Sequence, residues 1–439
     1  MKCVFAIVLG LWLSVVGLSF AVAEPSDPQR PQILSGREAQ ALIQKDFIRF
    51  DPNYLEHRKR LGRWLDSLGW RLATLQASGR HMECSNEIYL EAKWLYRYTA
   101  YWDRLKERLE MLDRSLSQVD QVFATEQSAE TGLWGVCYEQ PFFKLEATFL
   151  ALTELQAEGK VPPIPIHLPF PFSAWPTSLQ HFYGLLVSDI AHTGLDNRGE
   201  LGNIATIAAL TYFKDYMQHY INKKVVGLWN QTESDAKLQQ YRQFFSDYVE
   251  AWQDPTTGYW GPWYMSDGQL YYAIDLSFTF HIISYRHGNV NYWPQIIKTT
   301  LDIQDQPYPF GFAGGFTIHN DYDVAKILRY AWPRMSVEQQ ANAAALIDEM
   351  LRWTLSSSLQ QDGSFKVVPL AFSSVDADFY FGVAFLDVVG YWDPAKRFWT
   401  KAEFPEARSI CSHIKTKLKA LALNSVESQS ALATLESAC

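Results

Sequence analysis

The chain has 439 residues, a formal net charge of −9 and an aromatic content of 15% that includes 16 Trp. An acidic balance of this size excludes nucleic acid as a partner held by electrostatics, and the length allows one large repeat domain or two smaller ones. So many Trp exceed what a core needs, so some aromatic side chains are expected to line a groove or cavity.

Residues 1–23 read as a secretory signal. Lys2 supplies a minimal basic start, Phe5 to Phe20 is apolar, and Ala21-Val22-Ala23 before Glu24 fits small-x-small cleavage. The competing reading is a membrane anchor, because the apolar run approaches the roughly 17 residues a spanning helix needs. Cleavage would give a periplasmic or secreted chain with no membrane partner, and loss of Lys2 would take the net charge from −9 to −10. Cys3 leaves with the signal. Cys84, Cys137, Cys411 and Cys439 stay, which permits two disulfides in one of three connectivities, with free buried thiols as the alternative. No C-x-x-C spacing is present, so no metal is expected, and no cofactor motif appears.

After a Pro-rich leader (24–34), helical periodicity dominates 35–160. Asp51 to Ala77 carries Leu55, Leu61, Trp64, Leu65, Leu68, Leu72 and Leu75 at three- and four-residue steps. Ser85 is placed to cap a second long helix, predicted to run to about Val122 with Leu95, Leu105, Leu109, Leu112 and Leu116 on one face. A helix over Phe142 to Gln156 precedes a strap at 161–176, where six prolines in sixteen residues rule out a helix. Helices are predicted at Gly202–Asn222 and Asp235–Trp252, then at Leu276–Tyr285, Tyr292–Leu301, Asp323–Ala331, Ser336–Ser357 and Asp378–Val389. One or two closing helices end the chain within 401–439. No sheet is expected beyond ladders of two or three residues near the turns.

Four stretches repeat one theme: Glu130-Thr-Gly-Leu-Trp-Gly135, Asp254-Pro-Thr-Thr-Gly-Tyr-Trp-Gly261, Tyr308-Pro-Phe-Gly-Phe-Ala-Gly-Gly315 and Gln361-Asp-Gly-Ser-Phe365. Each sets a glycine turn beside an aromatic residue, ahead of a helical run. Gly258 to Gly311 is 53 residues and Gly311 to Gly363 is 52, a step that marks a repeat architecture of turn, helix, helix over 177–400. The predicted fold class is all-α, an α/α toroid of helix pairs with additional long N-terminal helices.

The turns Gln253-Asp254…Gly258-Tyr-Trp260 and Gln360-Gln-Asp-Gly-Ser-Phe365, with helices opening at Asp275-Leu-Ser-Phe-Thr-Phe-His281 and Asp376-Ala-Asp-Phe-Tyr-Phe381, resemble the repeats of the terpenoid cyclase and protein prenyltransferase superfamily. The resemblance covers about half of the chain and implies a fold. Toroidal carbohydrate-active enzymes share that fold, so it assigns no activity by itself. The protonating D-x-D-D motif of squalene-type cyclases is absent, since Asp376-Ala-Asp378-Phe breaks it.

In a toroid, the turns and first helical residues of successive units meet at one end of the central cavity. That geometry nominates Trp260, Trp263 and Tyr264 with Asp267 and Asp275; His319, Asn320, Asp321 and Tyr322; and Asp378 with Tyr380. Trp and Tyr faces stack on sugar rings, and neighbouring carboxylates divide acid and base roles. For a lyase, Tyr322 or His319 is the expected base and Asn320 or Arg329 the group that neutralises a uronate carboxylate. For a hydrolase, Asp275 and Asp378 form the acid and base pair. The structural alternatives are helix caps for Asp275, Asp323 and Asp376 or Asp378, turn packing for Trp260 and Phe365, a solvated position for Arg329 and a core role for His281. The favoured function is an exported enzyme acting on a polysaccharide, lyase or hydrolase. The alternatives are a non-catalytic scaffold that binds a glycan or a protein, and a terpenoid-cyclase-like enzyme.

Overall fold

A computed structural model describes residues 32–80, 83–117, 127–139, 249–312, 317–366, 374–423 and 425–439, with isolated positions at 143–164, 188–189 and 243–247. The expected signal, most of the expected leader, the helix expected at Gly202–Asn222 and nearly all of the Pro-rich stretch lie outside these residues, as does most of each helix expected at Phe142–Gln156 and Asp235–Trp252. The chain divides at Gln32, and the body described below is Ile33–Cys439. No helix among the described residues is long and apolar enough to cross a membrane.

The described residues are mostly helical. The elements are β1 (Gln32–Leu34), α1 (Gly36–Phe50), α2 (Tyr54–Ala77), α3 (Glu83–Tyr98), α4 (Trp102–Ser117), β2 (Ser188–Asp189), β3 (Trp263–Ser266), β4 (Gln269–Ala273), α5 (Leu276–Tyr285), α6 (Trp293–Asp302), α7 (Ile318–Ala331), α8 (Val337–Trp353), α9 (Val375–Val388), α10 (Ala407–Leu421) and α11 (Val426–Ala438).

In α2 the middle of the predicted stripe is buried: Leu61, Leu65, Leu68 and Leu72 pack against α3 and α4 in a first core with Phe47, Leu95 and Leu109, while Trp64 and Leu75 are partly buried and Leu55 at the helix start is exposed. The single helix expected from Ser85 to Val122 is two. Thr99 Oγ1 donates to Leu95 O at 2.7 Å and accepts from Tyr101 N at 3.2 Å, so one side chain bonds the backbone on both sides of the break. The chain turns there and α4 packs back on α3. Ser85 lies inside α3 rather than capping it, and its hydroxyl meets Ser115 at 2.5 Å.

The second core belongs to α5–α11. Here α5, α7, α9 and α11 pack side by side in that order, and α6, α8 and α10 alternate with them along the chain. Each member of the row starts on a side-chain cap: Asp275 accepts from Phe278 N, Thr317 from Asn320 N, Ser374 from Ala377 N and Ser425 from Ser428 N. Asp275 is therefore a cap as expected. Asp323 and Asp378 are not; both sit inside helices that begin earlier than the carboxylates suggested.

The repeated turn is real at the level of single bonds. Gln127 Nε2 donates to Gly132 O at 2.7 Å, and Gln253 Nε2 donates to Gly258 O at 2.7 Å. Gly132 N reaches Ser128 O and Gly258 N reaches Asp254 O, both at 2.7 Å. Trp134 N donates to Thr148 Oγ1 at 2.9 Å, and Trp260 N donates to Thr279 Oγ1 at 3.1 Å. Gly258 has φ +71°, and a Cβ there would stand 2.7 Å from Ile296 N, so conformation and space both require glycine. The third copy keeps the closing bond, Gly311 N to Pro307 O at 3.0 Å. The fourth is a shorter hairpin closed by the Leu359–Phe365 bridge.

The expectation of no sheet beyond two- or three-residue ladders also fails. A four-stranded sheet in the order β1-β4-β3-β2 accompanies the helices, with β3 and β4 antiparallel in the register Trp263–Tyr272 to Ser266–Gln269. The Asp267-Gly268 turn places both residues at positive φ, 50° and 75°, as a tight hairpin requires. Disulfides join Cys84 to Cys137 and Cys411 to Cys439, which decides against free thiols.

Candidate functional site

Helix α7 buries one side in the second core through Val324, Ala325, Ile327 and Leu328. A different strip, His319, Tyr322, Lys326 and Arg329, recurs at three- and four-residue steps and remains partly accessible. On α9 the matching strip is Tyr380, Phe381, Ala384 and Asp387, and on α5 it is His281 and Tyr285. These positions define the candidate site.

Their rings form a continuous track. Tyr308 stands 5.6 Å from His319, and His319 packs edge-on against Phe381 at 4.2 Å. Tyr322 lies 6.0 Å from Phe381, 6.4 Å from Tyr380 and 5.2 Å from Phe280. His281 continues the track to Tyr285, whose hydroxyl is 2.9 Å from Nδ1. His281 is thus a partly accessible member of the strip rather than a core residue.

Asp323 lies one turn beyond His319, buried, with Oδ2 3.7 Å from His319 Nδ1. At that distance the carboxylate acts on the imidazole through its charge rather than through a hydrogen bond. Burial first, and the charge of Asp323 second, push the Tyr322 phenol above its ordinary pKa. That shift favours the protonated, hydrogen-donating form of the hydroxyl.

The track connects two clefts. One, of about 490 Å³, is lined by Gln44, Tyr54, Arg58, Arg97, Tyr264 and Tyr308. There Arg58 holds Tyr54 Oη at 2.9 Å and Tyr96 O at 3.0 Å and lies over the Tyr96 ring at 4.5 Å. The other, of about 260 Å³, is lined by Tyr322, Lys326, Arg329, Tyr380, Asp387 and Lys396, with Ser430 and Thr434 of α11.

Several nominated residues lie elsewhere. Trp260 is fully buried, with Nε1 donating to Val249 O at 2.8 Å, so it packs a turn and cannot stack on a ligand. Trp263 begins β3 and packs against the second core. Tyr264 is buried on the 490 Å³ cleft. Asp267 is an exposed turn residue paired with Lys45 and Arg49. Asn320 and Asp321 are buried, and Asp321 Oδ2 accepts only a long 3.5 Å bond from Thr354. Arg329 is not a solvated charge: it donates to Val388 O at 2.9 Å and Lys396 O at 2.6 Å, tying down the end of α9.

The proposed hydrolase pair does not assemble on the track. Asp275 is buried as the α5 cap, 2.9 Å from Phe278 N. Asp378 is buried in the first turn of α9, where its charge acts on Tyr89 and Lys93 of α3. Its neighbour Asp376 is held by Gln76 at 2.5 Å and Ser425 at 2.7 Å. Asp376 thereby joins α9 to α2 and to the start of α11.

The sequence reading missed Lys326, Phe381 and Tyr308. The signal for Lys326 was present in the three- and four-residue spacing from His319 and Tyr322. No protein family model matches the chain, and no curated protein or solved structure matches it either. Function must therefore be argued from the site.

Proposed function

We propose that the helix pairs of α5–α11 curve into an α/α toroid, exported from the cell, whose inner helices are α5, α7, α9 and α11, and that the aromatic track along them holds a segment of acidic polysaccharide. The observation that carries this reading is the row of rings from Tyr308 through His319 and Phe381 to Tyr322, leading from one arginine-bearing cleft to one lysine-bearing cleft. Stacked rings suit sugar faces, and cations at both ends suit an anionic chain better than a neutral one.

The chemistry best matched by the strip is elimination at a uronate. His319, backed by Asp323, would take the proton from C5. The C4–O4 bond would break, a C4–C5 double bond would form, and Tyr322 would give its proton to the departing oxygen. The proton on His319 would return to Tyr322 through solvent. The hydrolase form lacks support, because Asp275 and Asp378 are both buried and Asp275 is engaged as the α5 cap.

A glycan array on the mature protein, followed by ultraviolet detection of unsaturated products from each hit, tests the reading. His319→Gln should keep binding and lower turnover by on the order of a hundredfold. Binding in the parent without any unsaturated product would favour the non-catalytic glycan-binding alternative. Absence of any glycan bound would remove both forms.

A further inference from the structure

The 260 Å³ cleft holds three cations, Lys326, Arg329 and Lys396, and one carboxylate, Asp387. Two of the cations are spent inside the fold. Lys396 Nζ meets both oxygens of Asp387 at 2.7 and 2.8 Å, and Trp392 Nε1 adds a third bond to that carboxylate at 3.3 Å. Arg329 is spent on two backbone carbonyls and lies over the Phe398 ring at 5.4 Å.

Lys326 is different. Its ammonium lies over the Tyr322 ring at 5.9 Å, and among the described residues it has no hydrogen bond and no carboxylate at ion-pair distance. A partly buried cation beside two others is an arrangement that a bound anion stabilises. Burial first, then Arg329, holds the Lys326 amine below its ordinary pKa, against the pull of Asp387. Ser430 and Thr434 of α11 line the same cleft and supply hydroxyls. Its volume of about 260 Å³ falls just below the roughly 300–1,000 Å³ of ligand pockets, enough for one charged sugar unit and not for a long segment.

We propose that Lys326 is the anion-reading residue of this cleft, taking the oxyanion of one acidic sugar, either a uronate carboxylate or a sulfate ester. This rests on the polysaccharide reading above and names its charged subsite. Lys326 lies seven residues beyond His319 on α7, about 10 Å along the axis at roughly 1.5 Å per residue. The sugar held by Lys326 is therefore a different unit of the chain from the one at His319, and Lys326 positions the chain rather than touching the reacting atoms.

The test uses the full mature chain with sodium glucuronate, glucose and sodium sulfate as probes, at ionic strength matched with chloride. Glucuronate or sulfate, and not glucose, should raise the melting temperature of the parent beyond chloride. That increment should vanish in Lys326→Met and survive in Lys326→Arg. A response to glucuronate alone identifies a carboxylate, and a response to sulfate alone a sulfate ester. An equal response in the parent and Lys326→Met overturns the proposal, as does no response in the parent. If Lys326→Met fails to fold, acetylation of the unmutated protein, read by mass spectrometry, decides instead. The effective anion should slow modification of Lys326 at least fivefold and leave exposed Lys401 unchanged; an unchanged rate at Lys326 refutes the site. An anion response without oligosaccharide binding would sink the polysaccharide reading alone, and oligosaccharide binding without an anion response would sink this subsite alone.

Discussion

Gln253 is the keystone of the repeated turn, and its removal should be costly although it touches no ligand. The side chain is buried, and Nε2 donates to Gly258 O at 2.7 Å and to Asn291 O at 2.9 Å. Gln253→Met preserves length and approximate volume, so the cavity contribution is small. It removes the donor for two carbonyls, and each one left buried without a partner costs about 1–3 kcal/mol. Local relaxation recovers part of this, so the expected loss is about 2–4 kcal/mol. Gln127→Met should behave alike, since Gln127 holds Gly132 O and Ile164 O at 2.7 and 2.6 Å. Urea unfolding followed by Trp fluorescence measures both, with unchanged m-values showing that the native fold is the reference. A loss below about 0.5 kcal/mol for Gln253→Met would mean that the glutamine bonds do not hold the turn.

Asp275→Ala should cost about 1 kcal/mol by loss of the α5 cap and leave glycan binding intact, whereas Asp275→Asn should restore most of the stability; loss of binding at full stability would return Asp275 to the site. Asp321 is buried, and burial raises its pKa, so ionisation disfavours the folded state as pH rises above the unfolded value. Asp321→Asn should therefore match the parent near pH 4 and gain on it by about 1.4 kcal/mol per pH unit above that, until the folded-state pKa is passed; parallel stability curves against pH would contradict this. Replacing Cys411 and Cys439 by Ser opens a bridge spanning 28 residues, and the chain-entropy model gives a loss of roughly 3–4 kcal/mol, checked by denaturation with and without reductant.

The helices after residue 250 were legible because their signals are local. Asp275 before an apolar run fixes the start of α5, and Ser336 with Gln339 forms the capping box that starts α8. Thr317, not Asp323, starts α7, because a threonine two residues beyond Gly315 was a weaker signal than a carboxylate. The break at Thr99 carries no Gly or Pro, so periodicity ran straight through it. The β3–β4 hairpin was written in Asp267-Gly268 between Trp263–Ser266 and Gln269–Ala273, but its flanking aromatics drew the reading toward a ligand site.

The candidate site draws on some of the residues the sequence nominated and not on others. His319, Tyr322 and Tyr380 meet on the track. Trp260, Asp275 and Asp378 do not, because turn aromatics and first-turn carboxylates serve packing and helix ends as readily as a cavity. Burial separates the two uses, and burial at a helix start is set by tertiary contacts such as Gln76 on Asp376, which lie 300 residues apart in sequence.

The central claim is that an acidic polysaccharide lies along the α7 and α9 strips. Calorimetric titration of an acidic oligosaccharide identified by the array, into the parent and into Tyr380→Ala, tests it most directly. The account predicts binding to the parent, at least tenfold weaker binding to Tyr380→Ala, and a circular dichroism spectrum unchanged by the substitution. Equal affinity for both proteins would contradict it.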